Sequence, residues 1–293
     1  MEPTLERETA AVFRKALRAL IDAGVPFVVA GAFAVNHYTG IWRNTKDLDL
    51  FVEPRHAGVA LHALAAAGFN THVQEKHWLG KAFLHGQIVD VIWGGGNWAT
   101  MVDEHWFAHA EPGRTLGVDV VMAPAEDLIL SKAYVAGRER YDGADIMHLI
   151  RARGDRFDWK ELVARFGDHW ALLLHYMILF RFVYPRHREH APIKVVRRLT
   201  RKLGTDTEVA DGLPFRGLLL DRYAYLHDLR YEGLADPGIA IAERGGHDPI
   251  AVRRRRVLDA RAFDAGKVYR PNVVDEEELE ELAELDIVET FCG

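Results

Sequence analysis

The sequence predicts an α/β fold of the α+β kind, with a mixed sheet and flanking helices first and a mainly helical part after it. Three observations predict this. Short apolar runs rich in β-branched residues recur as far as Met122, amphipathic stretches of helical spacing separate them, and the strand signal stops where Pro124 opens a long helical pattern. With 293 residues, 49% hydrophobic and 27% charged, the chain can bury two moderate cores. The expected divisions are 1–123 for the sheet, 124–204 for the helices, and 205–293 for an extension of mixed helix and loop.

Taken in order, Leu5 to Ala23 carries Val12, Phe13, Ala16, Leu17, Leu20 and Ile21 at helical spacing, and Gly24 ends that helix. Phe27 to Ala30 is a short β-branched run, and Gly31-Ala32 turns it into a small helix that Thr39-Gly40 closes. Asp47 to Val52 begins by alternating acid with apolar residue, as a half-buried strand does. Arg55 to Ala67 reads as helix, with Val59, Leu61, Leu64 and Ala65 on its apolar face. Trp78 to Leu84, Ile88 to Trp93 and Val118 to Met122 read as strands, and Gly94-Gly95-Gly96 marks a loop. Ala125 to about Gly204 reads as almost continuous helix. Beyond Thr205, Leu218 to Leu229 forms one helix candidate, Gly233 to Gly246 is rich in turn residues, and Asp275 to Glu289 is an acidic helix candidate.

Composition excludes several classes of function. The single cysteine, Cys292, cannot form an intrachain disulfide, and the N-terminus lacks the apolar core of a signal peptide, so a cytoplasmic protein is expected. Trp170 to Tyr184 is too short to span a bilayer and is interrupted by His175 and Arg181. The net charge of −6 is unevenly spread. Residues 151–203 hold 13 Lys and Arg against 5 Asp and Glu, a balance of +8 between acidic flanks. Such a block suits a polyanion such as RNA, or an ordinary solvated helical face.

The chemistry centres on three acids. Asp47 and Asp49 are two residues apart, so on a strand their carboxylates share one face about 6–7 Å apart at Cβ. Carboxylates are the ligands that Mg2+ or Mn2+ prefer, and transfer from a nucleoside triphosphate (NTP) to a hydroxyl uses two such ions. Asp90 stands in Ile88-Val89-Asp90-Val91-Ile92, where a central acid needs a reason. A D-x-D pair also occurs on ordinary exposed strands, so the conjunction carries the argument. The Gly31-Ala32 turn at a helix start offers free N–H groups to phosphate oxygens. Arg43 and Thr45 then suit either a triphosphate or a structural ion pair.

Val28 to Val35, followed by Gly40, Arg43, Thr45 and Asp47-Leu48-Asp49-Leu50, resembles the signature of the DNA polymerase β nucleotidyltransferase superfamily. Pro124 to Lys132, followed by Arg138, Arg140, Asp142 and Asp145, resembles the helical segment of its small bacterial members, the AbiEii-like and minimal nucleotidyltransferases. The resemblance covers about residues 20–150. It implies a nucleotidyltransferase domain in 1–123 and a helical domain in 124–204 that closes over the nucleotide. It implies metal binding by Asp47, Asp49 and Asp90, a proton-accepting role near Asp90, and a nucleotide contact from Lys132. Where such families show Gly-Ser or Gly-Gly, this chain has Gly31-Ala32, which drops a hydroxyl and keeps the backbone donors.

The expected activity is metal-dependent transfer of a nucleoside monophosphate to an acceptor hydroxyl. An RNA or tRNA end lying on 151–203, as in toxin-like members, is one acceptor; a small, aminoglycoside-like compound or a protein side chain is another. A catalytically silent, antitoxin-like partner protein is the alternative from outside the enzymes. His187 and His190 have metal-binding spacing but read as a solvated face in a chain with 15 histidines, and Arg253 to Arg256 reads as a mixed-charge surface helix. Asp142 and Asp145 read as helix N-terminal charges or partners of Arg138 and Arg140.

Overall fold

The computed structural model describes residues 5–138, 140–205, 215–231, 234–244 and 249–264. The sheet part contains α1 (Arg7–Asp22), β1 (Val28–Val29), α2 (Gly31–Thr39), β2 (Asp47–Phe51), α3 (Ala57–Ala66), β3 (Asn70–Glu75), β4 (Leu79–Leu84), β5 (Gln87–Ile92), α4 (Glu104–Ala108), β6 (Glu111–Thr115) and β7 (Val118–Met122). The helices α5 (Ala125–Ala133), α6 (Gly143–Arg153), α7 (Trp159–Phe166), α8 (Trp170–Val183) and α9 (Ile193–Thr205) follow. Beyond them lie α10 (Gly217–Leu220), α11 (Leu226–Tyr231), α12 (Pro237–Arg244) and α13 (Pro249–Asp264).

The seven strands form one mixed sheet in the order β3-β4-β5-β2-β1-β7-β6, which bears out the expected class. β2 runs parallel to β5 and antiparallel to β1, and β1 runs parallel to β7. Parallel neighbours need a crossover, and α3 with the β3–β4 hairpin supplies the one between β2 and β5. α1 and α3 pack on each other and on the sheet, while α2 packs on β2, α5 and α6. Alternation along β2 buries Leu48 and Leu50 in the core and leaves Asp47 and Asp49 on the other face. One cluster of buried apolar side chains runs from Val12 in α1 through the sheet and α5–α9 to Leu219. A smaller one joins Trp98 to Ala242 and Val252 of α12 and α13.

Several expectations are corrected. β3 and β6 were not anticipated: both are edge strands, β3 is largely polar, and β6 contains Pro112 and Gly113, which an edge tolerates. Ile21 and Val59 are exposed, at the margins of the apolar arcs of α1 and α3. The Leu218–Leu229 helix is broken at Asp221, whose carboxylate accepts the N–H groups of Tyr223 and Ala224 and stabilises a turn instead. The turn-rich stretch after Gly233 contains α12, begun by Pro237 at its first position. The acidic candidate Asp275 to Glu289 and Cys292 lie outside the described residues. Among the described residues no helix is long and apolar enough to cross a membrane.

Candidate active site

The floor of the main cleft is set by strand register. On the parallel β2–β5 pair Asp49 stands opposite Asp90, and Asp47 lies two residues back on the same face as Asp49. One carboxylate oxygen from each of Asp47, Asp49 and Asp90 falls within 4.8 Å of the others. Burial, reinforced by the charges of Asp47 and Asp90, pushes the Asp49 carboxyl up to about 7. Burial also pushes Asp90 above its usual range, against the pull of Lys81. Crowding and burial thus disfavour the ionised forms of Asp49 and Asp90, and a divalent cation coordinated by oxygen would relieve that. The donor set fits magnesium or manganese.

Lys81 is the residue that sequence reasoning missed. Its Nζ donates to Asp90 Oδ1 at 2.8 Å, with both side chains buried. The signal was present in the two residues His85-Gly86, both at positive φ, which form a tight hairpin between Leu84 and Gln87. A two-residue turn fixes register, and counting back three pairs sets Lys81 opposite Asp90. The result is a row of Lys81, Asp90 and Asp49 across three neighbouring strands.

Gly31 opens α2 above this floor at φ +55, and a Cβ there would collide with Asp49 Oδ2. The neighbouring Ala30 N–H donates to the Asp49 carbonyl at 3.0 Å, which ties the turn to β2. Gly31 and Ala32 both line the cleft, at the start of a helix with no side-chain cap. Thr45 Oγ1 donates to Asp47 Oδ1 at 2.7 Å, orienting that carboxylate. Arg43 pairs with Asp145.

Lys132 reaches the cleft from α5, but its ammonium is held between Asp142 and Asp145 at 2.8 and 2.9 Å. Burial works against its charge, and the two carboxylates outweigh burial and hold its pKa above the usual lysine value. Asp142 also accepts from Arg140 Nε at 3.2 Å, while Asp145 takes Arg43 and Lys132 as partners in place of the arginines expected for it. Arg140 lines the cleft close enough for Asp47 and Asp49 to stabilise its charge.

The cavity over the acids measures about 890 Å³. Its lining also includes Trp78, Met101 and Trp106 from the sheet part and Leu218 to Ala224 from the extension. None of residues 151–203, all of them described, lines it.

Residues 9–158, about half of the chain, match the family model described as nucleotidyl transferase of unknown function (DUF2204). The chain belongs to that family. The span this nucleotidyl transferase shares with its family contains all three acids, Gly31, Ala32, Arg43, Thr45 and Lys132, and stops before α7. Among solved structures, the solution structure of antibiotic-resistance factor ANT(2'')-Ia is 18% identical, with a TM-score of 0.44 over 59% of this chain and 98% of that one. Lincomycin-bound LnuA, a lincosamide antibiotic adenylyltransferase, is 15% identical, with a TM-score of 0.37 over 51% and 98%. JHP933 from Helicobacter pylori is 15% identical, with a TM-score of 0.38 over 70% and 100%. Among curated proteins none matches the chain.

Outside the shared span of this nucleotidyl transferase, His187, Glu189 and His190 also bring ligand atoms within 4.8 Å of one another, on the turn between α8 and α9 and off the cleft wall. Arg255 and Arg256 depart from the surface reading. Both are half-buried, Arg255 pairing with Glu75 and Asp259 and Arg256 with Asp236.

Proposed function

We propose that this nucleotidyl transferase moves a nucleoside monophosphate from an NTP to an acceptor hydroxyl, with Asp47, Asp49 and Asp90 holding Mg2+ or Mn2+. The observation that carries the reading is the convergence of the three carboxylates within 4.8 Å inside the family-matched span. The ions would lower the pKa of the attacking hydroxyl and neutralise charge on the leaving pyrophosphate. The protein's own groups do the rest. Gly31 and Ala32 donate backbone N–H groups to phosphate oxygens. Arg140, Arg43 and Lys132 balance triphosphate charge, the latter two exchanging carboxylate partners for phosphate. Asp90 keeps Oδ1 on Lys81 and receives the acceptor's proton on its other oxygen. The acceptor oxygen bonds to the α-phosphorus as the bond to the bridging oxygen breaks, and pyrophosphate leaves.

In this reading 1–123 is the catalytic domain, 124–204 closes the nucleotide cleft, and the protein groups with the small AbiEii-like bacterial enzymes, acting in the cytoplasm. The +8 charge of 151–203, with Arg197 and Arg198 exposed on α9, supports a second reading in which an RNA end, as a toxin would use, is the acceptor.

Asp47→Asn and Asp49→Asn test the core of the proposal, because each removes a ligand charge at nearly constant shape. Transfer of label from an α-labelled NTP should fall at least about a hundredfold, the scale of losing one transition-state electrostatic contact, with circular dichroism unchanged. Full activity in either variant would overturn the metal assignment. Binding of NTP without any transfer, in the unaltered protein, would favour the silent partner protein.

A further inference from the structure

We infer that the segment Leu218 to Ala224 is the acceptor wall of the cleft, and that it selects a small hydroxylated compound with an apolar face. This rests on the nucleotidyl-transfer reading above and names the substrate class for that site. The segment lies outside the family-matched span, so it is separable from the shared phosphate chemistry. It is strapped across the cleft at two points. Asn97 Nδ2, next to the glycine loop, donates to the Leu219 carbonyl at 2.9 Å. On the helical side, the Arg138 N–H donates to Asp221 Oδ2 at 3.0 Å. Buried Leu218 and Leu219 root it in the fold.

The chemistry of the enclosed space is mostly apolar. Leu218 to Leu220, Trp78, Met101 and Trp106 all line it. Trp106 lines this space, and its indole N–H is buried with no hydrogen-bond partner among the described residues. Apolar walls with few placed polar groups are the pattern of small-molecule sites, and about 890 Å³ lies in their size range. Of the arginines lining this space, Arg222 pairs with Asp259 and Arg256 with Asp236. Residues 151–203, which carry the basic excess, do not line this space.

The test titrates the full-length protein, with magnesium present, against hexyl β-D-glucoside, methyl β-D-glucoside and a mixed tRNA preparation, each by calorimetry. Hexyl glucoside should bind at least about tenfold more tightly than methyl glucoside, since burying its extra methylenes is worth that much or more. Leu220→Glu should abolish the difference, and the milder Tyr223→Ala should reduce it. Equal binding of the two glucosides, binding of neither, a preference untouched by both variants, or tRNA that competes with hexyl glucoside would overturn the inference. A parallel titration with a non-hydrolysable NTP keeps the two readings apart. Nucleotide binding that survives both variants while the glucoside result fails sinks the acceptor wall alone. A glucoside preference in a protein that never binds NTP sinks the transfer reading instead.

Discussion

Gly31 meets Asp49 so closely that no side chain fits between them, and its φ of +55 suits glycine on backbone grounds as well. Gly31→Ala should therefore destabilise the fold by about 1–3 kcal/mol from backbone strain alone. It should also displace the Asp49 carboxylate, so magnesium-dependent NTP binding should fall by more than the loss of stability explains; thermal melts with and without Mg·NTP separate the two. Lys81 makes a second prediction. Lys81→Met leaves Asp90 buried without its cation, a change worth about 3 kcal/mol in comparable buried pairs. Magnesium should raise the melting temperature of that variant more than that of the unaltered protein, because a metal at Asp90 replaces the missing charge; equal shifts would place the metal elsewhere. At this scale the acids were legible and the lysine was not. Asp47, Asp49 and Asp90 announce themselves as charges inside apolar strands, whereas Lys81 acquires meaning only from the register that His85-Gly86 imposes.

Elements rich in β-branched or periodic apolar residues were readable, and those whose identity depends on neighbours were not. β2, β4, β5 and β7 carry their signal locally. β6 forms because Leu116-Gly117, both at positive φ, folds it back onto β7 in spite of Pro112 and Gly113. The break between α10 and α11 depends on Asp221, whose carboxylate accepts N–H groups from Arg138, Tyr223 and Ala224. Partial burial opposes its charge, but the donors from Ala224, Arg138 and Tyr223 prevail and hold its pKa below the usual range. A depressed folded-state pKa contributes stability above the unfolded value, and that contribution disappears as pH falls through the folded value. Asp221→Asn should thus melt below the unaltered protein at pH 6, and the gap should close progressively as the pH is lowered from about 4 towards 2. A gap independent of pH would mean that the carboxylate's charge does not hold the turn.

Across the whole molecule, charge and cleft are set apart. The basic stretch 151–203 spans α7 to α9, where Arg197 and Arg198 are exposed beside buried Leu199. Replacing both with alanine should change stability by less than about 0.5 kcal/mol. If RNA binds there, the variant should flatten the logarithmic salt dependence of affinity by about 0.7–0.9 for each phosphate that the arginines no longer neutralise. With a small acceptor, turnover should be unaffected. Composition exposed this asymmetry, but only the folded chain shows that the basic stretch and the acids do not share a wall. The strap from Leu218 to Ala224 closes the cleft between the glycine loop and the helical part. The strap itself lies outside the family-matched span while its anchors, Asn97 and Arg138, lie inside it, so on the proposed reading mutation in the strap can rewrite what is modified while inheritance preserves how.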